Sequence, residues 1–485
     1  LLAAALPLRA ATGNWLDLFN GKDLNGWRVG GPAGSWRVEG GVLVAEGPGS
    51  HLFYAGRVQE ARFRNFEFEV EAGLDPHADS GVFFHTAYQH AGPLEKGFEI
   101  QMMHPRSGGK ERQQTGSLYG LRGVYTPLAA GDDWFRLRVA VRGKTIQVWL
   151  NDTLLVDYLE PTPPPLPPGI PRGRFLDSGT FALQSPGAGA RVRFRSLRVR
   201  PLPDEVRAPG AASPAADEVA RAIVACTARN IPVVDYHVHL KAGLTLEEAL
   251  ARSRRDGIQY GIALNCGKGF PVEDDAGLQR FLETMRGQPV FLALQAEGRE
   301  WMDMVSRPAV ARFDYVFTDA MTWTDNRGRR MRTWIAEEVG TIAALEEFVD
   351  TLVDRTVGIL EREPIDIYVN PTFLPAQIAG QYDRLWTEKR MRRVMEAAAR
   401  NHVAIEINDK LRLPRPPFLR MAKEAGCKFA FGTNNGGPHD LGRSAYGLQM
   451  VEHCGLDWRD FFVPGVWWPK AAERKGEALR GGKEA

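Results

Sequence analysis

A chain of 485 residues is longer than one hydrophobic core serves, so two or three domains are expected. With 44% hydrophobic and 25% charged residues the composition is that of an ordinary globular protein. A net charge of +2 argues against nucleic acid or a membrane surface recognised by bulk electrostatics, which leaves small molecules as the expected partners.

Residues 1–13 open on Leu-Leu-Ala-Ala-Ala-Leu-Pro-Leu-Arg-Ala-Ala, the pattern of a signal-peptide apolar region running into small residues. A periplasmic or extracellular location is expected from it. No other stretch holds the ~18–20 consecutive apolar residues that a membrane span needs. Cys226, Cys266, Cys427 and Cys454 lie far apart without Cys-x-x-Cys spacing and read as buried thiols.

Residues 14–202 alternate short apolar-polar runs with Gly and Pro turns. Strands are expected at Ser35–Val38, Val42–Ala45, Phe66–Glu71, Gly81–His85, Gly97–Met102, Phe135–Val141, Thr145–Leu150 and Val192–Arg200, the pattern of a β-sandwich. Asn65-Phe-Glu-Phe-Glu-Val-Glu71 alternates strictly, so one face is buried and the acidic face is expected to be wet. In Gly97-Phe-Glu-Ile-Gln-Met-Met-His104 the same alternation sets Glu99 and Gln101 on one face and Phe98, Ile100 and Met102 on the other. A carboxylate beside an amide can hold sugar hydroxyls, and the carboxylate can also move a proton. His85 and Tyr119 are candidates to join them in catalysis, and His104 in substrate binding. A solvated face with no ligand gives the same alternation.

Leu18-Phe-Asn-Gly-Lys-Asp-Leu-Asn-Gly-Trp27, Ser80-Gly-Val-Phe-Phe, Gly97-Phe-Glu-Ile-Gln101, Ser117-Leu-Tyr-Gly120 and Val192-Arg-Phe-Arg-Ser-Leu-Arg-Val-Arg-Pro-Leu202 follow one another in an order that resembles the 3-keto-disaccharide hydrolase family. The resemblance implies a concanavalin-like jelly roll that acts on, or binds, 3-keto glycosides. It departs at His85, where the family often has Arg. A ketone at C3 acidifies the C2 proton, so a base can remove it, the C1 substituent can leave, and water can add. Glu99 or His85 suits the base, and Tyr119, Gln101 or a metal suits the enolate oxygen. A proline-rich loop at 161–173 lies inside this domain, and a linker is expected at 203–217.

From residue 218 to 485 strand and helix patterns alternate. Strands at 232–238, 258–265, 290–296, 314–319, 365–370, 403–408 and 428–433, with helices at Thr245–Arg255, Gly277–Arg286, Ile342–Glu361 and Glu388–Arg400, imply a distorted (β/α)7 barrel. Chemistry in such barrels sits at the C-terminal strand ends. Those ends carry His237 and His239, Asn265, Glu297, Asp319, Asn370, Glu406 with Asn408, and Asn434 and Asn435 followed by His439. The His-x-His pair in Val233-Val-Asp-Tyr-His-Val-His-Leu240 points both imidazoles one way, a disposition that suits a divalent metal, with Asp235 placed to orient one ring.

The Asp-Tyr-His-Val-His opening and Phe431-Gly-Thr-Asn-Asn-Gly-Gly-Pro-His-Asp-Leu-Gly442 resemble the PHP family of metal-dependent phosphoesterases and hydrolases. The resemblance implies a metal on His237, His239 and Glu297, joined by Asp319 or His439, with Mn, Fe or Zn as the candidates. It departs at Asn370 and Asn434, which stand where the family has His and Asp. A basic run at 327–332 offers a phosphate or carboxylate contact or a solvated charge cluster, and the charged tail 470–485 is expected to fray. Three function classes follow: a 3-keto-glycoside hydrolase in the sandwich, a metal-dependent hydrolase in the barrel with a sugar-binding sandwich, and a non-catalytic carbohydrate-binding protein.

Overall fold

A computed structural model describes residues 14–105, 111–129, 134–166, 169, 171–187, 189–208, 215, 217–324 and 329–480. The apolar start at 1–13, parts of the proline-rich loop and linker, and Arg327 of the basic run lie outside the described residues. The chain divides into two compact units, the first ending at Asn230 and also taking in Arg254–Gly257, the second beginning at Ile231. The helix Glu218–Ala228, which by sequence pattern opens the C-terminal half, is counted with the first unit. There Val224 joins the buried apolar cluster, and Gln113 Nε2 donates to the Asn230 side-chain oxygen at 3.1 Å.

The first unit is a sandwich of two antiparallel sheets. Its strands are β1 (Leu16–Asp17), β2 (Trp27–Gly30), β3 (Trp36–Glu39), β4 (Val42–Glu46), β5 (His51–Tyr54), β6 (Asn65–Leu74), β7 (Asp79–Thr86), β8 (Phe98–Met103), β9 (Phe135–Arg142), β10 (Thr145–Leu150), β11 (Thr153–Leu159), β12 (Thr180–Gln184) and β13 (Arg191–Leu202). One sheet runs β11, β10, β9, β6, β13, β4, β3, with β1 on β13, and the other runs β2, β5, β12, β7, β8. Every strand expected from the sequence is present. The core between the sheets is aromatic: Phe181 stacks on Phe68 at 4.0 Å between ring centroids and meets Phe63 at 4.5 Å and Phe66 at 4.9 Å. Burial of each such ring contributes about 1.5–3 kcal/mol.

The acidic face of β6 is not wet. Glu67 and Glu69 are only 4% and 6% exposed, because arginines of the neighbouring strands close over them. Arg142 and Arg200 hold Glu67, Arg198 holds Glu69 and Arg195 holds Glu71. Trp15 and Trp134 then lie against these guanidinium groups, Trp134 with its ring 4.5 Å from Arg195. Alternation predicts which face a residue takes, but not that long side chains from β13 will roof that face.

The second unit contains β14 (Val234–Val238), β15 (Gln259–Cys266), β16 (Phe291–Ala296), β17 (Tyr315–Thr318), β18 (Thr322–Thr324), β19 (Arg330–Arg332), β20 (Ile367–Tyr368), β21 (Ala404–Asn408) and β22 (Phe429–Gly432). β14, β15, β16, β17, β20, β21 and β22 close into a parallel barrel, and β18 and β19 form a separate hairpin. The expected helices appear as Leu246–Asp256, Asp275–Thr284, Leu345–Arg362 and Glu388–Arg400. Thr245 Oγ1 accepts from Glu248 N at 3.1 Å, so the Thr-x-x-Glu sequence does cap its helix. The tail is not frayed through residue 480: Ala471 N donates to the buried Asp366 at 2.7 Å and Arg480 N to the Met302 carbonyl at 2.8 Å. In the basic run Arg330 pairs with Glu300 and Arg332 with Glu338. All four cysteines are free and buried. Among the described residues no helix is long and apolar enough to cross a membrane.

Candidate functional site

In the five-stranded sheet Leu52, Val82, Phe84, Phe98, Ile100, Met102 and Leu183 face the core. The alternate residues floor a cleft of about 540 Å³. Register arranges that floor in two rows. Gly30, His51 and Gln184 stand side by side in the first, which continues through Gly81 and Gln101. Arg28, Phe53, Ala182, Phe83 and Glu99 stand side by side in the second, of which Phe83 and Glu99 line the cleft. Phe53, Phe83, Leu94 and Ala182 cluster apart from the main core, so an apolar strip lies beside a polar one. Such a floor suits a sugar ring, which has apolar C–H faces and a polar rim.

The ionisable groups gather at the β7–β8 end. Gln101 Nε2 donates to Asp79 Oδ1 at 2.9 Å, and the Tyr119 hydroxyl is hydrogen-bonded to Glu111. Arg174 Nη1 donates to the Tyr119 carbonyl at 2.6 Å, and Tyr119 N donates to the Glu99 carbonyl at 2.9 Å. Burial drives the Glu99 carboxyl up to about 8. Arg174 pulls it down, and Asp79 and Glu111 push it further up. Loss of water at the cleft wall, together with Glu111, raises Asp79 to about 6 against the Gln101 hydrogen bond. Burial lowers His51 to about 4 and raises Tyr119. Glu99 needs a glycine diagonally across from it on β7: a Cβ at Gly81 would lie 2.7 Å from Glu99 Oε1.

Glu99, Gln101 and Tyr119 are thus brought together, and two other candidates are not. His85 has φ +54°, which breaks the alternation of β7 and turns its ring away from the cleft face. The ring packs against Phe66 and Phe84 at 5.7 and 5.5 Å, and its Nε2 donates to the Arg64 carbonyl at 2.9 Å. Burial lowers its pKa to about 4. His85 is a neutral structural histidine in this geometry and not the base. His104, 1% exposed, is not among the cleft residues, so it does not serve as a binding group there. Sequence reasoning missed His51, Asp79, Glu111, Arg174 and Gln184. Asp79 was recoverable, since it precedes Gly81 by two and so shares its face. His51 and Gln184 lie on strands too short to signal themselves.

At the barrel's C-terminal end His237 Nδ1 bonds Glu406 Oε1 at 2.6 Å, while its Nε2 is buried without a partner. Glu406 reaches that ring because Gly432 lies beside it: a Cβ there would be 2.1 Å from Glu406 Oε1. His239 faces the Ala263 carbonyl and the Gln295 amide, and burial holds its pKa well below the usual range. Glu297 Oε1 accepts from Asn265 and Gln295, both at 2.9 Å. Asp319 accepts from Asn370 Nδ2 at 2.8 Å and Met321 N at 2.9 Å. Burial, and then the charge of Asp319, raises Glu297. Asp235 does not orient a ring; it binds Thr433 and the His237 backbone amide. His439 is exposed in the loop after β22, 3.7 Å from Asp440.

The unpartnered His237 Nε2 is a potential metal donor, but the groups around it are committed to amides. Among the described residues no three His, Cys, Asp or Glu side chains are placed to hold one ion. His237, His239, Glu297, Asp319 and His439 therefore do not fit a shared Mn, Fe or Zn centre, and no chemistry is routed through one.

Solved structures with similarity to the chain cover about two fifths of it. A candidate glycosyl hydrolase from Parabacteroides distasonis is 22% identical, with 39% of this chain and 94% of that one covered and a TM-score of 0.32. A carbohydrate-binding module of Bacillus subtilis is 14% identical over 36% and 95%, with a TM-score of 0.24. A Bacillus subtilis protein with a galectin-like fold is 13% identical over 41% and 98%, with a TM-score of 0.29. No curated protein matches the chain. The family model of the 3-keto-alpha-glucoside-1,2-lyase-like domain matches residues 14–200, the stretch that forms the sandwich.

Proposed function

We propose that the sandwich cleft cleaves 3-oxo glycosides by elimination and hydration, with Glu99 as the base. The observation that carries this reading is a carboxylate in a cleft of sugar size whose burial raises it to about 8, into the range useful for removing a carbon-bound proton. In the first step the Glu99 carboxylate takes the C2 proton, the C2–H pair forms C2=C3, and the carbonyl pair moves onto the C3 oxygen. The enolate then re-forms C3=O, the C2=C3 pair makes C1=C2, and the C1–O bond breaks with its pair on the aglycone oxygen. That oxygen takes the proton held by Glu99 and leaves as an alcohol, which returns Glu99 to the carboxylate. Water finally adds hydroxyl at C1 and a proton at C2. Gln101 with Asp79 is placed to hold ring hydroxyls, and Phe83 to carry an apolar face of the sugar.

Because the base works as the carboxylate, the rate rises with pH through the raised value: kcat on a 3-oxo disaccharide is expected to climb from pH 6 to a plateau above about 8. A profile flat across that window contradicts Glu99 as the base. Gly81→Ala tests the position of the base while leaving its chemical identity unchanged, since the new methyl displaces Glu99 Oε1. It is expected to lower kcat by about 10- to 100-fold, an effect typical of a base moved by an ångström. Unchanged turnover would show that Glu99 is not held over Gly81.

A further inference from the structure

We propose that Arg174 takes the charge that Glu99 creates, its guanidinium holding the C3 oxygen of a 3-oxo sugar as that oxygen becomes an enolate. The inference rests on the reading of the cleft as a 3-oxo-glycoside site and assigns the electrophilic half of the same step.

Among the described residues lining the cleft, Arg174 is the one side chain with a permanent positive charge, set among Asp79, Glu99 and Glu111. A guanidinium placed there for structure alone would close on one of those carboxylates in a two-pronged pair, the geometry its fork favours. Arg174 does not. Its hydrogen bond goes from Nη1 to the Tyr119 carbonyl, its Nε is buried without a partner, and it acts on Glu99 only at a distance. The residue is 7% exposed, so an open N–H there is not satisfied by bulk water.

The backbone fixes the relation of cation to base. Arg174 is tied to the Tyr119 carbonyl and Tyr119 N to the Glu99 carbonyl, so both groups are held at one end of the floor. Removal of the C2 proton and growth of charge on the C3 oxygen occur on adjacent carbons, so a base and a cation side by side match that step. The Arg174 side chain neither gains nor loses a proton. It holds negative charge as C2=C3 forms and gives it back as C3=O re-forms and the C1–O bond breaks. A fixed donor in a water-poor site stabilises such charge far better than one that must reorganise.

The test uses a 3-oxo-1,5-anhydrohexitol, which has no aglycone at C1, so that enolisation at C2 is read without release of an alcohol. In D2O the full-length protein is expected to exchange the C2 proton for deuterium, read by NMR. Arg174→Met and Arg174→Gln are expected to slow exchange about 100-fold at a dissociation constant changed only a few-fold. They should also move the inflection of the exchange rate to higher pH, because Glu99 loses a cation that lowers it. A merely structural loss lowers the rate without moving the inflection. Thermal unfolding of both variants checks that at least one folds, and Gln keeps a donor for the Tyr119 carbonyl. Wild-type exchange in either folded variant, or slowed exchange with a fixed inflection, overturns the proposal. No exchange in the wild type instead overturns the reading of Glu99 as the base, and the assignment of Arg174 falls with it.

Discussion

Glu99→Gln lowers kcat on a 3-oxo disaccharide by about 10²- to 10⁴-fold, with KM changed little. The amide has the shape of the carboxyl, so it still packs over Gly81 and beside Phe83. It cannot accept the C2 proton, and that is the whole of the expected loss, within the usual range for removal of a general base. The pH profile is the more discriminating readout. The rise toward about 8 belongs to Glu99, so any residual rate in the variant should lack it. Turnover within threefold of wild type would move the base elsewhere, with Asp79 next in line, since it is raised to about 6 in the same cleft.

His237→Ala destabilises the barrel by about 3 kcal/mol or more without acting on the sandwich reaction. The ring bonds Glu406 Oε1, while Glu406 Oε2 accepts from Asn370 N at 2.6 Å and Asn408 Nδ2 at 3.0 Å. Glu406 is 1% exposed, so removing the imidazole leaves a buried carboxylate oxygen without its donor. The cost of breaking a buried pair from one side is of order 3–5 kcal/mol. Denaturant unfolding of the full chain, followed through the barrel's transition, measures it. A change below about 0.5 kcal/mol would mean that water or a repacked amide replaces the ring, and that Glu406 is not committed to His237.

The fold was legible wherever hydrophobic period and length agreed. Seven strand runs followed by amphipathic helices gave the closed barrel, and the long alternating runs of β6, β8, β9 and β13 gave the sandwich. The sandwich strands that went unread, β1, β2, β5, β11 and β12, are mostly five residues or fewer and carry too few alternations to stand out from loops. Three of them, β2, β5 and β12, floor the cleft, and His51 and Gln184 were missed with them. Glu99 and Gln101 were found because β8 is long enough to show its faces. Arg174 sits beyond the proline-rich loop, far from β8 in sequence, and only the fold brings it there.

The misread histidines share a cause. A residue type and spacing say what a side chain can do, and the backbone decides where it points. His85 lies near the end of β7, whose alternation would place it in the cleft, but its positive φ turns the ring into the core. His237 and His239 do share a side of β14, with ring centroids 5.4 Å apart, yet Glu406 and Gln295 claim them. The asparagines at positions 370 and 434 were the visible warning, since a neutral amide is a poor ligand for a dication and Asn370 instead satisfies the Asp319 carboxylate.

The most direct test is the deuterium content of the released sugar when the full-length protein cleaves a 3-oxo disaccharide in D2O, read at times short against uncatalysed exchange. With the proton that Glu99 removes passing to the departing aglycone oxygen, hydration places a deuteron from the solvent at C2 of the 3-oxo hexose in every turnover. A product that keeps its C2 proton would mean that the glycosidic bond breaks without C2 chemistry, and would contradict the account at its centre.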